Sequence, residues 1–472
     1  MTDKPGHTAF SRRSALKTVG AGVLGAAAAQ ALPAFAAGGR AKPNFLFIMA
    51  DDLGYADLSC YGRREYRTPV LDRLSTQGMR FTHGYANSAV CSPTRLALIT
   101  GRYQYRLRAG LDEPLGGSGH GLDPTHPTLP SLLKKQGYHS ALIGKWHLGS
   151  LPKYGPLQSG YHEFWGNRGG AIDYFNHGFG NTGEPDLWDG DVRIEDVGYY
   201  TDMLAERSLE FLDARAAHPD KPWLLSLHFT APHWPWQGPG DKAESERIDG
   251  KLFHYDGGSL ATYAEMVTAL DAAIGRVLAR LTEHGLAGDT VVVFTSDNGG
   301  ERFSDNWPFT GMKSELLEGG LRVPLIVRWP GLVAAGSTSD APVLSMDFLP
   351  TLLAAAGGAP ALPSDGIDIR PALAGGSLPD RPLFWRFGKR EQKAVRLGRH
   401  KYLSIDGNEF LFDIAADPLE RANLKDRNPA MFADLRARFE AWNKTMLTDP
   451  AATSYGFEPA QLADHFAAVS NK

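Results

Sequence analysis

Cys91-Ser92-Pro93-Thr94-Arg95 brings a thiol and a guanidinium together within five residues. Read locally, the stretch opens a helix. Ser92 is a good N-cap, Pro93 stands where proline is tolerated, and Gly101 stops the run that Leu96 begins. Cys91 then lies just ahead of a helix N-terminus, where free N–H groups and the positive end of the dipole favour an anion or a charged nucleophile. Arg95 follows about one turn later on the same side. Together they make a candidate site for an oxyanion ester. A buried cysteine ahead of an ordinary capped helix explains the same residues equally well.

Other reactive side chains recur where buried strands end. Asn44-Phe45-Leu46-Phe47-Ile48-Met49-Ala50 reads as a strand buried on both faces, and it runs into Asp51-Asp52. Thr290 to Thr295 reads the same way and runs into Ser296-Asp297-Asn298-Gly299-Gly300. Open α/β sheets bind ligands outside such carboxyl ends. Oxygen donors from Asp51, Asp52, Asp297 and Asn298 would complete most of a shell for a hard cation, calcium or magnesium. A strand over Tyr138 to Ile143 leads to Gly144-Lys145-Trp146-His147-Leu148-Gly149, where Lys145 and His147 point the same way if the backbone is extended. A strand over Pro222 to Phe229 leads to Ala231-Pro232-His233-Trp234-Pro235, whose prolines fix where His233 points. Lys313 opens a loop that closes at Glu318-Gly319-Gly320. Each feature alone also fits a structural role, as a turn cap, a surface lysine or a packed histidine. The recurrence of oxygen ligands after two buried strands favours the functional reading.

These strands alternate with helical patterns after Thr68-Pro69, at Thr128 to Gly137, Tyr199 to Ala217, Ser259 to Gly285 and Ser345 to Ala356. The expected fold is therefore α/β, a large mainly parallel sheet flanked by helices. From about residue 360 the texture changes to short strands at 383–387, 393–396, 401–405 and 409–413, then a helix over 432–446. These predict a smaller C-terminal α+β domain with a short antiparallel sheet. The expected division is 37–359 for the catalytic domain and 360–472 for the smaller one. Residues 150–197 are rich in glycine and aromatics with little periodicity. They read as a long loop that selects substrate, around Asn167, Arg168, Asp173 and His177. Cys60, His83, His139 and His228 read as structural, and Arg322 and Trp385 as supports for the loop and the domain contact.

The chain has 472 residues, 43% hydrophobic and 22% charged, with formal net charge −4, which suits a large globular core and gives no basic surplus for nucleic acid. Two cysteines exclude a disulfide scaffold and a multi-cysteine metal site. Ser11-Arg12-Arg13-Ser14 followed by an alanine-rich run and Ala34-Phe35-Ala36 predicts a twin-arginine signal peptide over 1–36. With no other long apolar stretch, a periplasmic or secreted protein without a stable membrane span is expected.

In order and spacing the motifs resemble the type I sulfatases of the alkaline-phosphatase-like superfamily. The resemblance covers nearly all of the mature chain. Its most specific parts are Cys91-Ser92-Pro93-Thr94-Arg95 with Thr100-Gly101-Arg102, and Gly137-Tyr138 with Gly144 to Gly149. Asp51-Asp52, Ala231-Pro232-His233, Asp297-Asn298, Gly311-Met312-Lys313 and Glu318-Gly319-Gly320 fit in sequence, as does the tail from Phe412-Asp413 to Asn423-Leu424. The resemblance implies that a maturation enzyme oxidises Cys91 to formylglycine, whose hydrate is the nucleophile. It implies that Asp51, Asp52, Asp297, Asn298 and the modified Cys91 bind calcium, with magnesium as the alternative. Arg95 and Lys145 then hold the modified residue and stabilise charge. His147 assists sulfate release, and His233 and Lys313 stand at the leaving-group side. The implied substrate is a small-molecule or saccharide sulfate ester, and the implied export partner is the twin-arginine machinery. A phosphonate monoester hydrolase or phosphodiesterase of the same superfamily is the nearest alternative, and a non-catalytic sulfate-ester binding protein a more distant one.

Overall fold

Alternation along Asn44–Ala50 places this strand at the centre of the molecule. Leu46, Ile48 and Ala50 enter one hydrophobic cluster and Phe45, Phe47 and Met49 another, so both faces are covered. The computed structural model describes residues 42–111, 119–179, 184–251 and 253–448, all within one structural unit. The signal-peptide reading of 1–36 and the end of the chain from 449 lie outside the described residues.

Asn44–Ala50 pairs in parallel with Trp223–His228 on one side and Thr290–Ser296 on the other, with Phe47 opposite Ser226 and Val293. His139–Gly144 and then Glu163–Gly166 extend the parallel run. From edge to edge the ten strands are Ser337–Ser339, Met79–Phe81, Leu325–Arg328, Thr290–Ser296, Asn44–Ala50, Trp223–His228, His139–Gly144, Glu163–Gly166, Trp188–Asp189 and Val192–Arg193. Antiparallel pairing is confined to the margins, beginning at Leu325–Arg328 on one side and Trp188–Asp189 on the other. Helices Tyr200–Ala216 and Leu260–Glu283 cover one face; Cys91–Thr100, Leu129–Lys134 and Phe348–Ala355 cover the other. The expected large, mainly parallel α/β sheet is therefore present.

Residues 150–197 depart from the sequence reading. They do not form one long loop: Glu163–Gly166 is a parallel strand of the main sheet, and Trp188–Asp189 and Val192–Arg193 finish its edge. These segments are only two to four residues long, too short for a two-residue period to stand out in the sequence.

Four short strands, Leu383–Phe387, Gln392–Leu397, His400–Ile405 and Asn408–Asp413, form the expected antiparallel sheet, with helix Pro429–Asn443 packed on it. Trp385 is fully buried; its indole N–H donates to the Ala86 carbonyl at 2.9 Å and its ring lies 5.4 Å from Tyr85. Beside it, Glu318 accepts from Tyr85 at 2.6 Å, Arg322 at 2.5 Å and Lys401 at 2.9 Å, and Lys401 also meets Glu420 at 2.9 Å. Arg322 and Trp385 thus act as the structural supports that the sequence suggested.

Helix Pro69–Gln77 is held from outside itself. Asp271, on Leu260–Glu283, accepts from the backbone N–H of Val70 at 3.0 Å and Leu71 at 2.9 Å, filling two of the donors that a helix start leaves open. Burial pushes the Asp271 carboxyl up to about 6. The folded protein then holds this proton more tightly than the unfolded chain, whose aspartates titrate near ~3.9. The contribution of Asp271 to stability therefore falls as pH rises from about 4 to about 6 and is flat above that. Urea midpoints of wild type and Asp271→Asn measured across that window should differ by an amount that changes with pH; parallel profiles would contradict this account.

Candidate active site

Strand register assembles the site. Ala50 stands opposite Ser296, Met49 opposite His228, and His228 opposite Gly144. One step beyond those pairs Asp51 and Asp297 leave adjacent strands side by side, about one inter-strand spacing apart, and Lys145 leaves His139–Gly144, which Trp223–His228 separates from Asn44–Ala50. Asp51 Oδ2 accepts from Lys145 Nζ at 2.5 Å. Asp297 Oδ2 accepts from both Nε (3.0 Å) and Nη2 (2.8 Å) of Arg95, which comes from the helix below. Arg95 Nη1 donates to the Lys145 carbonyl at 3.2 Å, and Nη2 lies 3.8 Å from Asp51 Oδ1.

Asp52 turns back with φ of 60°, a conformation that aspartate tolerates better than most residues. Its N–H donates to Asp297 Oδ1 at 3.3 Å. Its Oδ1 accepts from Asn298 Nδ2 at 2.7 Å and its Oδ2 from Lys313 Nζ at 2.7 Å. Lys313 Nζ is also 3.2 Å from His233 Nε2 and 3.7 Å from Glu301. His233 Nδ1 lies 2.6 Å from the Trp234 carbonyl, which can only accept, so Nδ1 carries the proton and Nε2 faces Lys313 as an acceptor.

Cys91 is the first residue of helix Cys91–Thr100, after an extended Val90. Its Sγ and one oxygen each from Asp51 and Asp297 lie within 4.8 Å of one another. The helix thus begins two residues earlier than the sequence suggested, and Ser92 is not its N-cap. Val90, with φ −143° and ψ 158°, holds that place, and the buried Ser92 hydroxyl has no hydrogen-bond partner. Pro93 is still tolerated, because the first helical turn has no acceptors to offer its missing N–H.

Lys145 and His147 do not share an extended stretch as expected. His147 has φ of 57°, and its N–H donates to the Arg168 carbonyl at 3.1 Å. The chain doubles back, and the ring settles against Gly170, where a Cβ would lie 2.6 Å from it. Both ring nitrogens of His147 are buried without a hydrogen-bond partner.

The electrostatics follow from burial. Burial and the neighbouring Asp297 raise the Asp51 carboxyl well above the ordinary range. Burial also pushes Asp297 upward, but Arg95 and Lys145 outweigh it and hold that carboxyl low. Burial lowers His147 far below the ordinary imidazole value, with Lys145 and Arg95 adding to the effect. Burial and Lys313 do the same to His233. Both imidazoles are therefore neutral at neutral pH and can accept a proton.

Asp51 Oδ1 and Asn298 Oδ1 are buried and have no hydrogen-bond partner. Asn298 spends its Nδ2 on Asp52 and on the Gly299 carbonyl, which leaves its oxygen free for another partner. Orphaned buried oxygens are costly unless something cationic meets them. A donor set of carboxylate and amide oxygens fits a hard divalent cation such as calcium or magnesium.

The ten residues singled out in the sequence thus converge in one buried cluster. Asn167, Arg168, Asp173 and His177 make structural contacts of their own. The carbonyls of Asn167 and Arg168 accept from Trp146 and His147, fixing that turn. Asp173 is buried and ties Phe175, Asn176, Gln237 and Ser245 together, and His177 meets the Gly198 carbonyl. Two neighbours escaped the sequence reading as site members. Glu301 accepts from the Trp234 indole at 3.2 Å beside Lys313, and His228 Nδ1 lies 3.4 Å from Arg95 Nη1. Position right after Asp297-Asn298-Gly299-Gly300 was the available signal for Glu301. Cys60 is half-buried with its thiol pushed up to about 12 by burial and Asp72, so it stays protonated and inert.

The Sulfatase family model matches residues 43–359. The N-acetylgalactosamine-6-sulfatase of Homo sapiens is 33% identical over 407 residues, covering 78% of this chain and 72% of that protein. Arylsulfatase A of Bos taurus is 33% identical over 432 residues, covering 83% and 81%. Among solved structures, Ps i-CgsB in complex with k-i-k-neocarrahexaose superposes with a TM-score of 0.78 at 29% identity, covering 90% of this chain and 97% of that one. The phosphonate monoester hydrolase of Agrobacterium radiobacter shares the fold, with a TM-score of 0.62 at 21% identity.

Removing Arg95 would strand Asp297 as a buried charge without its fork. Arg95→Ala should lower stability by about 3–5 kcal/mol in urea unfolding. Arg95→Met combined with Asp297→Asn should recover part of that loss while leaving the enzyme inactive. Full stability in Arg95→Ala would contradict the charge balance described here.

Proposed function

The chain belongs to the sulfatase family and hydrolyses sulfate monoesters, and we propose that it does so through a formylglycine made from Cys91, beside a calcium ion held by Asp51, Asp52, Asp297 and Asn298. The observation that carries this reading is the meeting of Cys91 Sγ with the Asp51 and Asp297 oxygens within 4.8 Å, ringed by buried Arg95, Lys145 and Lys313. When present, formylglycine supplies a hydrated aldehyde whose hydroxyl can attack sulfur, and the divalent cation supplies positive charge against the sulfate oxygens.

The remaining work falls to the chain's own groups. In-line displacement at sulfur needs the ester fixed and charge on the equatorial and leaving oxygens stabilised. Lys145 and Arg95, already oriented by Asp51 and Asp297, flank residue 91 and hold it and the sulfate in place. Neutral His147, with both ring nitrogens uncommitted, accepts the proton whose loss from the second hydroxyl expels sulfate. Lys313, on the other side of Asp52, stabilises the departing oxygen, and His233, whose Nε2 lies 3.2 Å from its ammonium, helps to orient it. A serine at 91 lacks the second hydroxyl and has no equivalent route to release.

Relatives named for N-acetylgalactosamine-6-sulfate and for aryl sulfates, and a neighbour solved with a neocarrahexaose, support a sulfated saccharide or aryl sulfate as substrate. Among the described residues no helix is long and apolar enough to cross a membrane. With the twin-arginine pattern this supports conversion of Cys91 by a maturation enzyme in the cytoplasm, then export in folded form to the periplasm or beyond. The proposed catalytic and smaller domains remain 37–359 and 360–472.

Mass spectrometry of the peptide holding residue 91, from protein made with a formylglycine-generating enzyme, should show one sulfur and two hydrogens exchanged for one oxygen. Cys91→Ala should abolish hydrolysis of aryl sulfate without unfolding the protein, and Cys91→Ser should not restore it. Unmodified thiol in active enzyme would overturn the mechanism. A higher rate on matched phosphate or phosphonate esters than on the sulfate would shift the substrate class.

Chelation tests the cation separately. Calcium returned to chelator-treated protein at a hundredfold its Kd should stabilise the fold by about 2.7 kcal/mol, read as a rise in Tm. Asp51→Ala should show no such rise. An equal rise in both would place the ion elsewhere.

A further inference from the structure

Lys313 is carried by a turn with little regular structure of its own, so something outside the turn must fix it. Its N–H donates to the Gly300 carbonyl at 3.1 Å, and the next residue, Ser314, donates to the Ala89 carbonyl at 2.8 Å, two residues before Cys91. Ser314 has φ of 70°, a conformation that a serine holds only when its surroundings impose it. Within the turn the Glu315 N–H donates to the Met312 carbonyl at 3.0 Å and the Glu315 carboxylate accepts from the Met312 N–H at 3.1 Å. Further contacts come from the small sheet. Gln392, the first residue of Gln392–Leu397 and 2% exposed, grips both sides of the turn. Its Oε1 accepts from Leu316 N–H at 2.8 Å, and its Nε2 donates to the Ser314 carbonyl at 2.9 Å and the Lys389 carbonyl at 3.2 Å. The partner types leave the amide no freedom to flip, since an N–H must meet its oxygen and carbonyls must meet its NH2.

We infer that Gln392 is a positioning residue for the hydrolysis: the C-terminal sheet, through this one amide, sets where Lys313 Nζ stands relative to Asp52, His233 and the departing oxygen. Lys313 Nζ makes its contacts at 2.7 and 3.2 Å, distances at which a shift of about 1 Å removes most of the interaction. From outside the turn, the backbone on the C-terminal side of Lys313 is held by Ala89 and Gln392. Ala89 belongs to the segment that carries Cys91, so Gln392 also braces nucleophile and leaving-group side against each other through Ser314. The inference rests on the reading of Lys313 as a leaving-group residue, but its test is built so that the two fail separately.

A double-mutant cycle decides it. Gln392→Ala should lower kcat on aryl sulfates about tenfold, with KM changed less than about twofold and Tm lowered by only a few degrees. The loss should grow as the phenol becomes less acidic. On a Lys313→Ala background the same change should cost less than about threefold, because there is no longer an ammonium to misplace. Gln392→Met fills much the same volume while removing all three hydrogen bonds. It should show the same loss with the same leaving-group trend, and it serves if the alanine variant folds poorly. An undiminished tenfold loss on the Lys313→Ala background would overturn the inference, as would full activity in Gln392→Ala. A Lys313→Ala loss that is the same for every leaving group would instead overturn the role given to Lys313, while the cycle would still report whether Gln392 works through it.

Discussion

Burying three carboxylates at the ends of two adjacent strands is the constraint on which the rest of the structure depends. An unpaired buried carboxylate is not tolerated; it takes up a proton or finds a cation. Each of the three has a cation: Asp51 has Lys145, Asp297 has Arg95, and Asp52 has Lys313. Glu301, 3.7 Å from Lys313, adds a further carboxylate, so before any ligand arrives each of the three strand-end carboxylates has a cation and none is left over. A divalent cation added to the orphaned oxygens of Asp51 and Asn298 makes the pocket net positive, and an anionic ester is the complement of that state. The same pairing explains why these particular lysines and arginine are buried at all.

Meeting that constraint requires six separate pieces of chain to arrive within a few ångströms. Parallel register delivers Asp51 and Asp297 from adjacent strands, and Lys145 from the strand beyond Trp223–His228. A helix with its first residue at Cys91 brings the sulfur and, one turn on, the arginine. The loops carrying His233 and Lys313 are irregular, and they are fixed by what packs on them. For the Lys313 turn this is the small antiparallel sheet, anchored by Trp385 and by the buried Glu318–Lys401–Glu420 cluster. The smaller sheet is thus part of the site's scaffold even though none of its side chains enters the cluster of ten.

Legibility in the sequence followed the strength of the local pattern. Asn44–Ala50 and Thr290–Ser296 are unbroken apolar runs, and carboxylates immediately after such runs can be read without an alignment. The edge strands within 150–197 were hidden because they are too short to show a period. The turn at His147 was hidden because a positive φ at a non-glycine residue is imposed by tertiary contacts, here the Arg168 carbonyl and the space above Gly170. Ser92 looked like a cap by residue type, yet the extended Val90 took that place, and residue type could not distinguish the two. Gln392 left no trace, since a glutamine opening a short strand announces nothing until the turn it grips is seen.

The surroundings of Cys91 also bear on what residue 91 is for. An anionic sulfur here would face one oxygen each from Asp51 and Asp297 within 4.8 Å. The nearby Lys145 and Arg95 are already committed to those same carboxylates. The helix start favours a negative charge, but by only about 0.3–1 kcal/mol in ordinary settings, less than close like charges cost in a buried pocket. A thiolate nucleophile is therefore poorly served by this pocket. A neutral group whose hydroxyls can turn toward both the carboxylates and a cation is well served, because it can donate to the first and offer an oxygen lone pair to the second. This physical fit is what supports the proposal that residue 91 acts as an oxygen nucleophile derived from cysteine.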